Sequence, residues 1–209
     1  MPLANEYEYS YDKRGDLYCY PGTDVLINKF DIRDKGLLST AERQITALKI
    51  AKLEEDPIKG NFDLKHIKKI HKFVFGDIYT WAGDIRKGDF LTKGDSIFCR
   101  AMYIEDMAAE IHAKLKVDKF LCCLEKTDLV HKLAFYMGEI NALHPFREGN
   151  GRTQRLYFKQ LCAKAGYELE FNKTQRDMLV RADISAFNRD YSLLVDILES
   201  IVNKKDHRE

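Results

Sequence analysis

Apolar residues recur at helical spacing along most of the 209-residue chain. Steps of three and four residues place side chains on one helix face, so each such stretch predicts a helix with a buried stripe. The first begins near Asp24, where Val25, Leu26 and Ile27 precede Phe30. A second runs from Ser39 to Glu55 with Ile45, Leu48, Ile50 and Leu53, and Ser39 followed by Glu42 fits a capping box. Pro57 and Gly60 close it. A third opens at Asp63 and carries Leu64, Ile67, Ile70, His71 and Val74. Further helical stretches cover residues 101–116, 127–142, 152–165, 174–183 and 188–203.

The period changes once, over Lys87 to Cys99. Two short apolar pieces there flank Lys93-Gly94-Asp95, which reads as a β-hairpin. GYELEF, after the helix stop at Gly166, is a short strand or an extended turn. Residues 1–22 are rich in Tyr and charge and end at Tyr20-Pro21-Gly22, which predicts an irregular lead-in. The pattern therefore predicts one mainly α domain over residues 23–205, a compact helical bundle with one small hairpin.

Composition narrows the class without naming it. Lys and Arg number 34 against 33 Asp and Glu, a net +1. A protein that grips long nucleic acid through phosphate contacts is usually clearly basic, so no direct nucleic-acid partner is expected. A small basic pocket would not show in that balance. Five cysteines, with one adjacent pair and no CxxC, argue against a disulfide framework or a zinc site. No apolar run reaches the roughly 18 residues of a membrane helix, and the polar start lacks a signal-peptide core. The expectation is a cytoplasmic protein with no membrane partner.

Candidate chemistry concentrates in Leu143 to Arg155, LHPFREGNGRTQR. Pro145 disfavours helical geometry at His144, so the preceding helix should end there with an imidazole at its mouth. Gly149, Asn150 and Gly151 accept positive φ readily, and before a helix they predict a nest of N–H groups that binds anions. Arg152 and Arg155 fall on one side of that helix, where they oppose its dipole unless an anion sits nearby. Glu148 beside a phosphate site suggests a shared Mg²⁺, and His144 is a base of near-neutral intrinsic pKa. Together these residues suit phosphoryl or nucleotidyl transfer; a tight helix–helix turn with solvated arginines is the alternative on spacing alone.

His144-Pro145-Phe146-Arg147-Glu148-Gly149-Asn150-Gly151-Arg152-Thr153-Gln154-Arg155 resembles the Fic (filamentation induced by cyclic AMP) signature HPFx(D/E)GNGRxxR at every defining position. Residues 75–86, FGDIYTWAGDIR, resemble the segment before that family's flap hairpin, and Glu139 to Leu143 its lead into the motif. Tyr20-Pro21-Gly22-Thr23 resembles its N-terminal approach, and the likeness spans about residues 17–200.

The resemblance implies a Fic fold and a protein adenylyltransferase that moves AMP from ATP to a Tyr, Thr or Ser hydroxyl, releasing pyrophosphate. His144 would be the general base and Glu148 the Mg²⁺ ligand. Gly149, Asn150 and Gly151 would form the anion hole, with Arg152 on the β- and γ-phosphates. Arg155 would orient the γ-phosphate or pair with an inhibitory glutamate. Phe146 would anchor the loop in the core. The hairpin at 88–98, with Asp89, Phe90, Leu91, Thr92, Lys93, Gly94, Asp95 and Ser96, would be the flap that aligns a target segment as an added strand.

Departures from the family pattern carry information. Death-on-curing relatives that transfer phosphate have Lys where this chain has Gly151, which favours nucleotide transfer. The inhibitory motif (S/T)xxxE(G/N) is missing: Thr80 with Asp84 and Ser192 with Asp196 come nearest. The implied class is a toxin restrained by a small antitoxin that supplies the glutamate. Type II topoisomerases, or host small GTPases for a secreted effector acting in the host cytosol, are the implied targets. The alternatives are transfer of another nucleotide or of phosphate, or a non-catalytic nucleotide-binding module, which would have no need of His144. Outside the motif, His66 and His71 are poorly spaced to share a metal and read as surface or core residues. His112 and His131 read as lone helical histidines, Lys65, Lys68, Lys69 and Lys72 as a solvated face, and Trp81 as packing beneath the flap.

Overall fold

The computed structural model of the chain describes residues 9–11, 15–88, 91–93 and 96–205. Among these, seven α-helices surround one apolar core and two small sheets lie at its edges. The helices are α1 (Lys35–Glu55), α2 (Leu64–Phe75), α3 (Ile104–Val117), α4 (Lys126–Leu143), α5 (Asn150–Lys164), α6 (Arg176–Phe187) and α7 (Ser192–Ile201).

Helix α4 is the axis of the bundle. Its sequence is apolar on most sides, and Leu129, Val130, Leu133, Ala134, Tyr136, Met137, Ile140 and Leu143 are all buried. Helices α3, α5, α6 and α7 pack around it. Gly138 permits one close approach, since a Cβ there would stand 2.6 Å from Cε1 of Tyr191. Helix α2 packs against α5, and α1 covers both. Asp63 caps α2, its side chain accepting from the His66 N–H at 2.8 Å, as the apolar run beginning at that residue predicts.

Two expectations at the start of the chain are corrected. The segment from Asp24 to Phe30 is not helical. Asn28 takes over its backbone: Oδ1 accepts from the N–H groups of Phe30 and Ile32, and Nδ2 donates to the carbonyls of Leu26 and Ile32. Such side-chain bonds compete directly with a helical ladder. The second helix begins at Lys35, not Ser39, because Asp34 is its cap and accepts from the Leu37 N–H at 2.8 Å. Ser39 and Glu42 therefore form no capping box, and Glu42 is left free to serve elsewhere.

The hairpin is present as β2 (Leu91–Lys93) and β3 (Ser96–Ile97). The lead-in supplies a third strand, β1 (Tyr9–Tyr11), antiparallel to β2 with Tyr11 opposite Leu91. The order is β1-β2-β3, so β2 is covered on both edges. GYELEF contributes β4 (Tyr167–Leu169), paired with β5 (Val202–Lys204), where the last helical stretch ends earlier than its periodicity predicts. The five cysteines carry no disulfide, and no described helix is long and apolar enough to cross a membrane.

Candidate active site

Helix α4 ends at Leu143, and His144 takes a left-handed conformation, φ 43° and ψ 61°, ahead of Pro145. The proline makes continuation of the helix unfavourable, and the turn swings the imidazole inward. His144 is buried, and its ring lies 4.0 Å from the Phe98 ring, centroid to centroid. Phe146 is wholly buried and stacks on His71 at 3.8 Å. Burial of such a ring is worth about 2–3 kcal/mol.

The phosphate nest differs from its expected form. Only Gly149 has a positive φ, +83°, while Asn150 and Gly151 already belong to α5. The side chain of Asn150 is spent on the loop: Oδ1 accepts from the Phe146 N–H at 2.9 Å and Nδ2 donates to its carbonyl at 2.8 Å. An anion here would meet the first-turn N–H groups of α5, which have no acceptor within the helix. Gly149 is required for space as well as for φ. A Cβ at this position would fall 2.3 Å from Cζ of Phe75.

Arg152 and Glu148 come together as the motif spacing predicts, with a third participant that motif reasoning misses. Nη2 of Arg152 donates to Glu42 on α1 at 2.6 Å and lies 3.5 Å from Glu148. Nη1 reaches Thr46 Oγ1 at 3.4 Å, and the guanidinium lies 4.7 Å over the Phe75 ring. The Tyr79 hydroxyl donates to the other oxygen of Glu42. Burial, and then the Glu42 carboxylate, keep that phenol protonated far above its usual range. Glu148 also accepts from the Gly149 N–H at 2.7 Å. Its carboxylate is over a third exposed, at 36%. An accessible carboxylate at a helix N-terminus fits a Mg²⁺ that takes its other ligands from phosphate and water. Arg155 is half-buried one turn further on, with Nη1 3.3 Å from where a Gly151 Cβ would stand.

Support for the loop comes from residues that spacing gave no reason to choose. His66 and His71 are both buried, and His71 joins two loops. Its Nδ1 accepts from the Gly83 N–H at 2.8 Å, which leaves Nε2 to donate to the Glu148 carbonyl at 2.9 Å. Burial pushes its pKa down to about 4, so the ring is neutral and keeps both bonds. His112 and His131 also have partners: Nδ1 of each meets a backbone carbonyl, of Phe62 and Thr127 respectively. Trp81 stacks on Tyr79 at 4.5 Å and packs edge-on against Tyr18. Buried Arg86 donates from Nε to the His144 carbonyl at 2.9 Å.

Of the flap residues, Leu91 is buried, Thr92 pairs with Ile97 and Lys93 with Ser96. Asp89, Phe90, Gly94 and Asp95 lie outside the described residues. Ile97 is exposed on the hairpin.

A profile of the Fic/DOC family matches residues 61–162, which include the loop from His144 to Arg155. The probable protein adenylyltransferase Fic of Escherichia coli K12 is 36% identical over 93% of this chain and 96% of its own length. The chain belongs to the Fic/DOC family. The protein adenylyltransferase VbhT of Bartonella schoenbuchensis is 39% identical over 85% of the chain, which spans 37% of that longer protein. Among solved structures, the Bartonella tribocorum effector BepC with bound AMPPNP superimposes with a TM-score of 0.84 at 23% identity. That match covers 91% of this chain and 98% of the solved BepC chain, and it establishes the Fic fold.

Proposed function

We propose that this Fic protein transfers AMP from ATP to a hydroxyl side chain of a protein, releasing pyrophosphate. One observation carries the reading: His144, the first turn of α5, Glu148 and Arg152 meet at one loop that the rest of the fold pins in place. Relatives named protein adenylyltransferase support it, as do relatives solved with AMPPNP and ADP.

The imidazole of His144 takes the proton of the target hydroxyl, and the oxygen attacks the α-phosphorus. The bond from that phosphorus to the bridging oxygen of the β-phosphate breaks, and pyrophosphate leaves. The first-turn N–H groups of Asn150, Gly151 and Arg152, with the helix dipole, hold phosphate oxygens where negative charge collects. Arg152 and Arg155 hold the β- and γ-phosphates. Glu148 would hold Mg²⁺, which when bound supplies charge neutralisation across the phosphates. With β2 covered on both edges, a target segment adds along β3 or the outer edge of β1.

The missing (S/T)xxxE(G/N) pattern supports a toxin whose inhibitory glutamate comes from a separate small protein. Wild-type chain incubated with ATP, Mg²⁺ and candidate targets at neutral pH should transfer label from the α-phosphate and none from the γ-phosphate. His144→Ala should bind ATP yet transfer nothing. Retention of γ-label, or equal labelling by the alanine variant, would overturn the reading.

A further inference from the structure

Arg86 lies between the WAG turn and the hairpin, and is 4% exposed. Its backbone N–H donates to the Pro145 carbonyl at 2.8 Å. Its side chain reaches three further carbonyls: Nε donates to His144 at 2.9 Å, Nη1 to Gly88 at 3.0 Å, and Nη2 to Cys99. Gly88 precedes the hairpin and Cys99 follows it. One planar group therefore ties both stems of the hairpin to the backbone of the base. Guanidinium donors point in fixed directions, so the three acceptors are held in a fixed mutual arrangement.

Two other observations bear on the same junction. The Phe98 N–H donates to the Leu91 carbonyl at 3.0 Å, closing the hairpin, and the Phe98 ring rests against the His144 imidazole. The left-handed backbone of His144 costs a non-glycine residue about 1 kcal/mol or more, and persists only where its surroundings over-determine it. The two bonds from Arg86 to the carbonyls of His144 and Pro145 are part of that determination.

We propose that Arg86 is a positioning residue for group transfer, setting the distance and angle between the hairpin that presents the target hydroxyl and the imidazole that receives its proton. The inference rests on the AMP-transfer reading above. It assigns Arg86 to the acceptor side of the reaction. The phosphate side is held by other contacts, Asn150 on Phe146 and Glu42 and Thr46 on Arg152.

The test uses the full chain, α-labelled ATP with Mg²⁺, and self-labelling as the readout. In Arg86→Lys the charge remains but the fork is lost. The rate at saturating ATP should fall about tenfold to a hundredfold, the scale of a 1 Å misplacement. The ATP concentration for half-maximal rate should stay within about twofold of wild type, because binding and positioning are separable terms. Hydrogen exchange at amides 91–93, 97–99 and 146 should quicken, with amides of α7 unchanged. Phe98→Leu, which leaves Arg86 in place, should give the same split between rate and ATP dependence. A wild-type rate in both variants would overturn the proposal. So would parallel loss of rate, ATP binding and thermal stability, since Arg86 would then merely hold the fold. A wild-type chain that takes no label refutes AMP transfer itself, and the exchange data still report whether Arg86 joins hairpin to loop.

Discussion

Gly149 seats the His144–Arg155 loop on Phe75, and Gly149→Ala disturbs that seat in two separable ways. At φ +83° an alanine is strained by about 1–2 kcal/mol whatever the space around it. The new Cβ would also stand 2.3 Å from Cζ and 2.4 Å from Cε2 of Phe75. That ring is fully buried, stacked on His71 at 4.7 Å and covered by the Arg152 guanidinium, so it has little room to swing away. Overpacking of this kind adds about 1–3 kcal/mol, for a total near 2–5 kcal/mol. In a chain of this size each kcal/mol lowers Tm by about 2–4 °C. Urea unfolding, extrapolated linearly to water, measures the loss. Phe75→Leu removes Cζ, so in the double variant the steric part should return while the left-handed part remains. The cycle should give a coupling of about 1–3 kcal/mol in favour of the double variant. An alanine variant within about 0.5 kcal/mol of wild type, or costs that simply add, would refute this account of the seat.

Acid should weaken the fold through His71. Its folded pKa is about 4 against roughly 6.5 unfolded, so between those values the unfolded chain takes up a proton that the folded one refuses. The contribution is complete above about pH 6.5 and is lost as pH falls toward 4, and the stability advantage of wild type over His71→Gln should shrink by about 3 kcal/mol across that window. A constant advantage would contradict the buried, neutral ring. Glu42→Ala should cost about 2–4 kcal/mol, since Arg152 and Tyr79 both lose an acceptor within a largely buried cluster. The same substitution in an Arg152→Ala background should cost clearly less; equal costs in the two backgrounds would show that Glu42 and Arg152 do not act as a pair.

The active-site loop was legible because its chemistry is contiguous. Histidine, carboxylate, glycine turn and arginines occupy twelve successive residues, and proline and glycine act on the backbone at their own positions. The helices were legible for a similar reason, since each buries a stripe written into local spacing. Misreadings arose where a polar side chain overrode that spacing. Asn28 captured the backbone of an apolar run, and Asp34 started α1 four residues before the residue that looked like its cap. With Asp34 as the cap, Glu42 is not drawn into a capping box, and its carboxylate holds Arg152 instead.

The supporting residues were not legible for a different reason. Glu42, His71, Tyr79, Arg86 and Phe98 stand far along the chain from the groups they hold: 37 residues separate Tyr79 from Glu42, 58 Arg86 from His144, 77 His71 from Glu148 and 110 Glu42 from Arg152, and Phe98 meets His144 across a similar gap. A single buried histidine or arginine carries no spacing to read; its meaning lies in which carbonyls it meets. These contacts also set the physical extent of the site. The family profile covers residues 61–162, yet Arg152 is oriented by Glu42 and Thr46 on α1, before that span. Phe98, against His144, rests edge-on against Phe187 of α6 at 5.7 Å, beyond it. Arg152 and His144 thus each lean on a helix outside the segment that the family profile matches. The chemistry is written in one loop, but its geometry is a property of the whole helical bundle.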